Sequence, residues 1–297
     1  MNGIWIMIMG SLVACACSVV GTYLVLRKIS MVGDAISHAI LPGIVLAFLI
    51  SGSKEPVYMM VGAIVFGLLT VYLISVFCNS GVQDDAAIGV VFTALFAIGV
   101  VLVSIFTRQV HIDLDHVLYG EIAFAPWDTM TLLSMEIPRA VPIIGAVLLV
   151  NLTLISIFYK QLKLCAFDPV MAAVLGIPVV LFHYLLMTLV SITTVVSFDS
   201  VGSILVVGML IVPAATAYLL TDKLSFMLVI SCLLGIASSV GGYYVAVLLD
   251  ASIAGSMVSV AGLLFVLTLF LSPSHGIISR WIRRKKLSAV SNIITPK

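Results

Sequence analysis

Asp34 and His38 are the two residues with the clearest chemical potential, because they interrupt an apolar run from residue 29 to residue 50. They are four residues apart, so on a helix their side chains lie on one face, a single turn apart. A carboxylate and an imidazole at this spacing can hold one metal ion between them. Placing ionisable groups in lipid is costly, so the pair predicts a functional site. The alternative is a packing pair that satisfies only itself.

Pro42 follows His38 by four residues. Proline has no backbone N–H, so the carbonyl of His38 loses its helical partner and becomes a further candidate ligand. If the membrane begins near Ile29, His38 lies roughly 13 Å deep, close to the bilayer midplane. Pro213 frees the carbonyl of Met209 in the same way. Both prolines are expected to kink their helices, and such kinks can serve gating.

The composition excludes a water-soluble globular fold. Of 297 residues, 62% are hydrophobic and 9% are charged, whereas a soluble domain is about 25% charged. The apolar runs are continuous and about twenty residues long, which is typical of transmembrane helices and not of the alternating strands of a β-barrel. The net charge of +1 gives no indication of a nucleic-acid partner. The predicted class is an all-α, polytopic helical membrane protein surrounded by lipid.

Nine transmembrane spans are predicted, with eight as the alternative if one of the paired spans near 178–220 is broken. The nine are 4–26, 29–50, 56–77, 87–106, 141–159, 178–197, 201–220, 224–249 and 253–272. The loop 107–139 between the fourth and fifth spans is long, and part of it could be a re-entrant or interfacial helix. Small residues within the spans, such as Gly235 and Ser239, indicate close helix packing.

Basic residues set the predicted orientation by the positive-inside rule. Eleven of the fourteen Lys and Arg residues fall on one side of the predicted spans, and three (Lys54, Arg108 and Arg139) fall on the other. The N-terminus is therefore expected outside and the C-terminus in the cytoplasm. Residues 1–279 form a single predicted transmembrane domain, and residues 280–297 form a basic cytoplasmic tail.

A short helix is predicted in the cytoplasmic loop between the fifth and sixth spans. Asp168 suits the N-cap position and Pro169 the first helical position. Gly176 suits the position after the helix, and Pro178 prevents its continuation. The resulting helix over 169–175 carries no charge, so it is expected either to lie in the membrane interface or to dock into a groove of a partner protein.

The remaining polar candidates are weaker. Asp113, Asp115 and His116 lie in the predicted outer loop, where they could receive metal from a partner or simply form a solvated loop. His183 is a single histidine in the sixth span, and a satisfied core histidine is the favoured interpretation. The sequence contains no GxxxxGK[ST] phosphate-binding loop, so energy for transport would come from a partner chain or from an ion gradient.

Four stretches resemble the metal-ion permease family of ATP-binding-cassette importers, which carries manganese, iron or zinc. They are GDAISHAILPG at 33–43, DLDHVLYGEI at 113–122, FDPVMAAVLGI at 167–177 and VGSILVVGMLIVPAATA at 201–217. All four occur in the family's order along most of the chain. The form SHAILPG, with its proline at position 42, looks more like the manganese and iron branch than the zinc branch.

The resemblance implies a type II importer permease in a prokaryotic cytoplasmic membrane, working as a pair and most simply as a homodimer. It implies separate cytoplasmic ATPase subunits that bind ATP, and an extracytoplasmic protein that delivers the metal. The chain itself would be no enzyme and would hold no permanent cofactor; Mn²⁺ or Fe²⁺, or else Zn²⁺, would be its cargo. Asp34 and His38 match the family's metal ligands. The ATPase-coupling segment comprises Asp168, Pro169, Ala172, Ala173 and Gly176.

Two other classes compete with this interpretation. A secondary metal/proton transporter would be driven by a gradient and would use Asp34 and His38 as a proton relay. An intramembrane enzyme has only the same two residues to support it, since neither HExxH nor GxSxG occurs in the sequence. Transport without an ATPase partner would distinguish the secondary transporter from the importer.

Overall fold

Twelve helices and one short hairpin make up the part of the chain described by the computed structural model, namely residues 2–52, 56–106, 122–123, 127, 129–132, 135–272 and 276. The helices are α1 (Asn2–Leu26), α2 (Met31–Ala39), α3 (Leu41–Ser51), α4 (Pro56–Asn79), α5 (Asp84–Phe106), α6 (Ala140–Ile157), α7 (Tyr159–Phe167), α8 (Pro169–Val174), α9 (Val179–Val201), α10 (Ser203–Leu220), α11 (Leu224–Leu249) and α12 (Ile253–Leu271).

The nine predicted spans are present. Within the described ranges, nine segments are long and apolar enough to cross a membrane, and each coincides with a predicted span. The second of them is divided into α2 and α3 at Ile40. The alternative of eight spans required one helix near 178–220 to be broken. There, Gly202 alone separates α9 from α10, and each of these helices is long enough to span a membrane.

The described portion of the outer loop contains a hairpin, which the sequence did not predict; a helix in part of 107–139 stays a prediction for the residues outside the described ranges. Strand β1 (Thr129–Leu132) pairs antiparallel with β2 (Met135–Pro138), with Thr129 opposite Pro138 and Leu132 opposite Met135. Thr129 and Ile137 in these short strands have branched side chains, which favour extended backbone. Residues 107–121 lie outside the described part of the chain.

Helices α1 and α9 lie in the interior of the bundle, and α6 lies at its edge. In the most apolar window of α1 and of α9, 56% of the residues are buried, against 17% for α6. Helix α9 contacts α1, α2, α4, α6 and α10. An amide hydrogen bond fixes α6 to it, because Nδ2 of Asn151 donates to the hydroxyl of Thr193 at 2.7 Å.

Small residues let α1 and α11 pack closely, as the sequence predicts. Gly235 lies against Ala14 and Ser18, and the hydroxyls of Thr22 and Ser231 are 3.2 Å apart. The numbering falls along α11 as it rises along α1, so the two helices are antiparallel. This direction agrees with the alternating topology of the predicted spans.

Two glycines bring α1 and α2 against the same residue of α10. A methyl group at Gly21 would collide with the carbonyl of Leu210, and one at Gly33 would collide with the Leu210 side chain. Gly43 of α3 and Gly62 of α4 pack backbone to backbone in the same manner. These contacts fix α2, which carries Asp34 and His38, and α3 against the surrounding helices.

Candidate metal site and coupling helix

Helix α2 places the predicted metal ligands side by side. Nε2 of His38 lies 3.6 Å from Oδ1 of Asp34, and each side chain is 33% exposed. Zinc lies about 2.1 Å from nitrogen and oxygen ligands. If Nε2 and Oδ1, 3.6 Å apart, both bound one such ion, the angle between them at the ion would be about 120°. The pair can therefore bind one ion after only a small adjustment of side chains.

The remaining residues of α2 hold the helix in place and leave this pair accessible. Gly33, Ala35, Ile36, Ser37 and Ala39 are buried, where the helix contacts α4, α5, α9 and α10. The hydroxyl of Ser37 donates to the carbonyl of Gly33 at 3.0 Å, so it is engaged within its own helix. Asp34 and His38 are thus the polar groups that α2 presents outward.

Aromatic side chains of α5 flank the imidazole. The ring centroids of Phe92 and Phe96 lie 6.1 and 6.0 Å from that of His38, and Phe96 meets the imidazole edge-on. A small pocket beside His38 is lined by apolar side chains, including Ile40, Leu41 and Phe198. The imidazole is therefore held at the edge of a largely apolar space. The three phenylalanines are distant from His38 in sequence, and nothing in the local pattern around His38 indicated them.

The two prolines predicted to bend helices differ in their surroundings. Pro42 lies in the first turn of α3, directly after the break at Ile40, which keeps a helical backbone conformation. The break is where the missing N–H of proline leaves the helix without a hydrogen bond. Pro213, by contrast, lies buried inside α10, which continues through it as one helix from Ser203 to Leu220.

The structure describes only part of the predicted donor set. Within the described ranges, no group of three or more His, Cys, Asp or Glu side chains is close enough to hold a metal ion. Asp113, Asp115 and His116, the predicted outer-loop contacts, lie outside those ranges. Among the described residues, Asp34 and His38 thus form the candidate site by themselves, with two candidate ligands from one chain.

The predicted coupling helix is present as α8, with the predicted caps. The backbone N–H of Met171 donates to the Asp168 carboxylate at 2.9 Å, and Pro169 is the first residue of the helix. Gly176 adopts φ +78°, the left-handed conformation that favours glycine. The N–H groups of Gly176 and Ile177 donate to the carbonyls of Ala173 and Ala172, which is the Schellman arrangement.

The exposed surface of α8 is mostly apolar, and four of the five residues singled out by sequence, Asp168, Pro169, Ala173 and Gly176, are exposed on or beside it. Val170 and Val174 are 73% and 77% exposed, and Met171 and Leu175 are exposed beside them. Ala172, the fifth, is fully buried: its side chain packs α8 onto the permease and is not part of the exposed face. The spacing of residues along α8 could have distinguished its exposed face from its buried face, because residues 170 and 174 are one turn apart and residue 172 lies on the opposite side of the helix.

Comparison with known proteins identifies the family. The family model described as the ABC 3 transport family matches residues 3–272. This chain belongs to the ABC 3 transport family. It is a polytopic, membrane-integral permease of the ABC-transporter type, and its resemblance to the metal-ion permeases is confirmed at the level of the family.

Relatives and one solved structure resemble this ABC 3 permease along nearly its whole length. The manganese transport system membrane protein MntD of Bacillus subtilis is 51% identical over 280 residues, 94% of this chain and 95% of the relative. The zinc transport system membrane protein TroD of Treponema pallidum is 42% identical over 291 residues, covering 98% and 79%. The structure of PsaBC from Streptococcus pneumoniae in complex with Fab matches with a TM-score of 0.77, 35% identity and 95% and 94% coverage.

Proposed function

We propose that this ABC 3 permease is the membrane subunit of an ATP-driven importer of divalent transition-metal ions in a prokaryotic cytoplasmic membrane. An extracytoplasmic binding protein delivers the ion, a dimer of permease chains provides the path, and a separate ATPase supplies the energy. The observation that carries the proposal is the Asp34–His38 pair. It places a carboxylate oxygen and an imidazole nitrogen 3.6 Å apart on a membrane-spanning helix segment.

The donor set favours intermediate divalent ions. One nitrogen and one carboxylate oxygen suit manganese, ferrous iron or zinc better than the soft cuprous ion, which prefers thiolate or thioether ligands. Manganese is the first choice because the relative named for manganese transport is 51% identical, against 42% for the relative named for zinc. Iron fits the same ligand chemistry.

A second copy of the chain would complete the coordination shell. Two side-chain ligands are too few to hold a metal selectively, and the pair is one-third exposed. If α2 faces a two-fold axis, a homodimer offers two Asp34 and two His38 side chains at one site. Water or backbone carbonyls would fill the remaining positions, and the resulting site is weak enough to release the ion inward.

Helix α8 is the proposed docking element for the ATPase. Its capped ends make it a defined helix, and its exposed valines form an apolar surface at the side that the basic residues assign to the cytoplasm. An apolar helix of this kind suits a groove in a partner protein. The basic tail 280–297, which follows the membrane domain, would also lie on the cytoplasmic side.

The test uses proteoliposomes that contain the permease and its ATPase, with the metal-loaded binding protein outside. We expect uptake of ⁵⁴Mn²⁺ only when ATP is present on the ATPase side, with no uptake driven by a proton gradient alone. Gradient-driven uptake by the permease without the ATPase would overturn the proposal in favour of a secondary transporter that uses Asp34 and His38 as a relay. Competition by unlabelled Zn²⁺ and Fe²⁺ in the same assay ranks the ions.

A further inference from the structure

A hydrogen bond between Arg27 and His183 connects the segment that precedes α2 with the beginning of α9. Nη1 of Arg27 lies 3.2 Å from Nδ1 of His183. A guanidinium can only donate, so Nδ1 of His183 is the acceptor and carries no proton in this contact. His183, which the sequence left as a single core histidine, is therefore satisfied by a residue 156 positions away.

Few polar groups lie around the Arg27 guanidinium among the described residues. Tyr23, one turn earlier, is fully buried and its hydroxyl has no hydrogen-bond partner. Burial lowers the pKa of the Arg27 guanidinium and raises the pKa of the buried Cys165 thiol on α7 beside it. Among the described residues, no carboxylate forms an ion pair with Arg27. The imidazole of His183 is thus the main described partner of this partly buried cation.

The connection from Arg27 to α2 is rigid. Lys28 adopts φ +60° and closes a Schellman turn, in which the N–H groups of Lys28 and Ile29 donate to the carbonyls of Val25 and Leu24 at 3.1 and 3.0 Å. Further along, the N–H groups of Val32 and Gly33 donate to the carbonyls of Ile29 and Ser30. These turns at both ends of the short connection would carry a displacement of Arg27 to the beginning of α2.

The connection from α8 to His183 is equally short and hydrogen-bonded. The Schellman turn at Gly176 ends α8, and Pro178 directly precedes α9. The N–H of Phe182 donates to the carbonyl of Pro178 at 3.2 Å, so the first turn of α9 is closed just before His183. A displacement of α8 therefore reaches His183 through the four residues 175–178 and the first turn of α9.

We propose that the Arg27–His183 hydrogen bond transmits movement of α8 to α2, and so to the metal ligands Asp34 and His38. Arg27 and His183 are positioning residues, since neither contacts the ion. The inference deepens the proposed function and rests on it. Because the side chains at 27 and 183 join two rigid turns, removing either one should uncouple ATP hydrolysis from metal movement while leaving each process able to occur.

The test measures the number of metal ions taken up per ATP hydrolysed by the reconstituted complex. Arg27→Met and His183→Leu each remove the hydrogen bond with little change of volume. We expect each to lower this ratio about fivefold or more, the lower end of common coupling effects, at unchanged basal ATP hydrolysis and unchanged co-purification with the ATPase. The double variant should be no worse than either single variant, because one contact is lost in all three.

Two further variants distinguish coupling from a merely structural role. His183→Asn keeps an acceptor close to the position of Nδ1 and should restore most of the ratio. Lys28→Met removes the neighbouring, exposed positive charge and should leave the ratio unchanged. If Arg27→Met does not assemble, the comparison of His183→Leu with His183→Asn decides the question.

Three results would overturn the inference. They are an unchanged ratio in His183→Leu, multiplied losses in the double variant, and a loss in His183→Asn equal to that in His183→Leu. Absence of ATP-driven uptake by the unmodified chain would instead overturn the proposed function, and the inference with it. The unmodified complex therefore separates the two failures.

Discussion

Asp34 and His38 are suited to the role proposed for them by their neighbours as much as by their own chemistry. The same pair on an exposed helix would be a weak contact, since 3.6 Å exceeds a good hydrogen-bond distance. On α2 the small buried residues beside them let four helices pack around the backbone. The rings of Phe92 and Phe96 limit the positions open to the imidazole. The result is a pair of candidate ligands whose positions are restricted by the surrounding helices.

A buried amide contact gives a stability prediction at the residue scale. Asn151→Leu removes the 2.7 Å hydrogen bond from α6 to Thr193 of α9. Thr193 keeps its bond to the carbonyl of Leu189, so no hydroxyl is left unpaired. We expect a loss of about 0.6–1.7 kcal/mol in unfolding free energy, the range for hydrogen bonds between membrane helices.

Unfolding of the detergent-solubilised protein by a denaturing surfactant, followed by circular dichroism, measures this loss. Thr153→Val on the same helix is the matched control, because Thr153 is exposed and bonds only to the carbonyl of Leu149 in its own helix. The control should change stability by less than about 0.5 kcal/mol. Equal losses in the two variants would show that the contact with α9 contributes nothing.

Spacing along one helix was sufficient to predict that Asp34 and His38 lie side by side, because residues four apart share a helix face. It was not sufficient to find Phe92, Phe198 or the partner of His183. Those contacts join segments between about 50 and 160 positions apart, and no local pattern encodes them. The same limit explains Ala172: composition marked the helix as apolar, whereas its buried face depends on how α8 docks.

At the scale of elements, the short helix α8 is stable because both of its ends are satisfied. Its Asp168 cap, its proline at the first position and the left-handed Gly176 were all visible in the sequence, since each is a local backbone requirement. The hairpin of β1 and β2 was not, because four-residue strands are too short to show a reliable alternation. Helix bounds agreed within a few residues for the same local reasons.

Val174→Glu tests the outward face of α8. Val174 is 77% exposed, so a charge there leaves the permease folded but places a carboxylate in the apolar surface offered to the ATPase. We expect loss of co-purification with the ATPase at unchanged permease yield, while Val174→Ile retains binding. Ala172→Glu should instead lower the yield of folded permease, because Ala172 is fully buried. Normal ATPase binding by Val174→Glu would exclude this face as the docking surface.

At the scale of the whole molecule, close packing comes from small residues and hydroxyls, since lipid provides little hydrophobic force between helices. The antiparallel packing of α1 with α11 and the contact of both Gly21 and Gly33 with Leu210 bind the bundle together. The composition and run lengths predicted the fold class. The arrangement of helices around α9 required the structure.

Orientation gives a prediction for the intact chain. Cysteines introduced at Ala251, between α11 and α12, and at Lys160 in α7 are both exposed. With the N-terminus outside, a membrane-impermeant maleimide should label Ala251→Cys in intact cells and Lys160→Cys only after permeabilisation. The unmodified chain, with its five free cysteines, corrects for background. Labelling in the reverse order would invert the assigned topology and place α8 away from any cytoplasmic ATPase.

The most direct test of the account is ⁵⁴Mn²⁺ uptake by cells that carry Asp34→Asn or His38→Ala, at matched amounts of permease in the membrane. Asp34→Asn replaces the carboxylate by a neutral amide, and His38→Ala removes the imidazole nitrogen. Asp85→Asn, the same chemical change in the first turn of α5, is the control. We predict at least about tenfold lower uptake in both site variants and normal uptake in the control. Uptake at the unmodified level in both site variants would contradict the assignment of Asp34 and His38 as metal ligands.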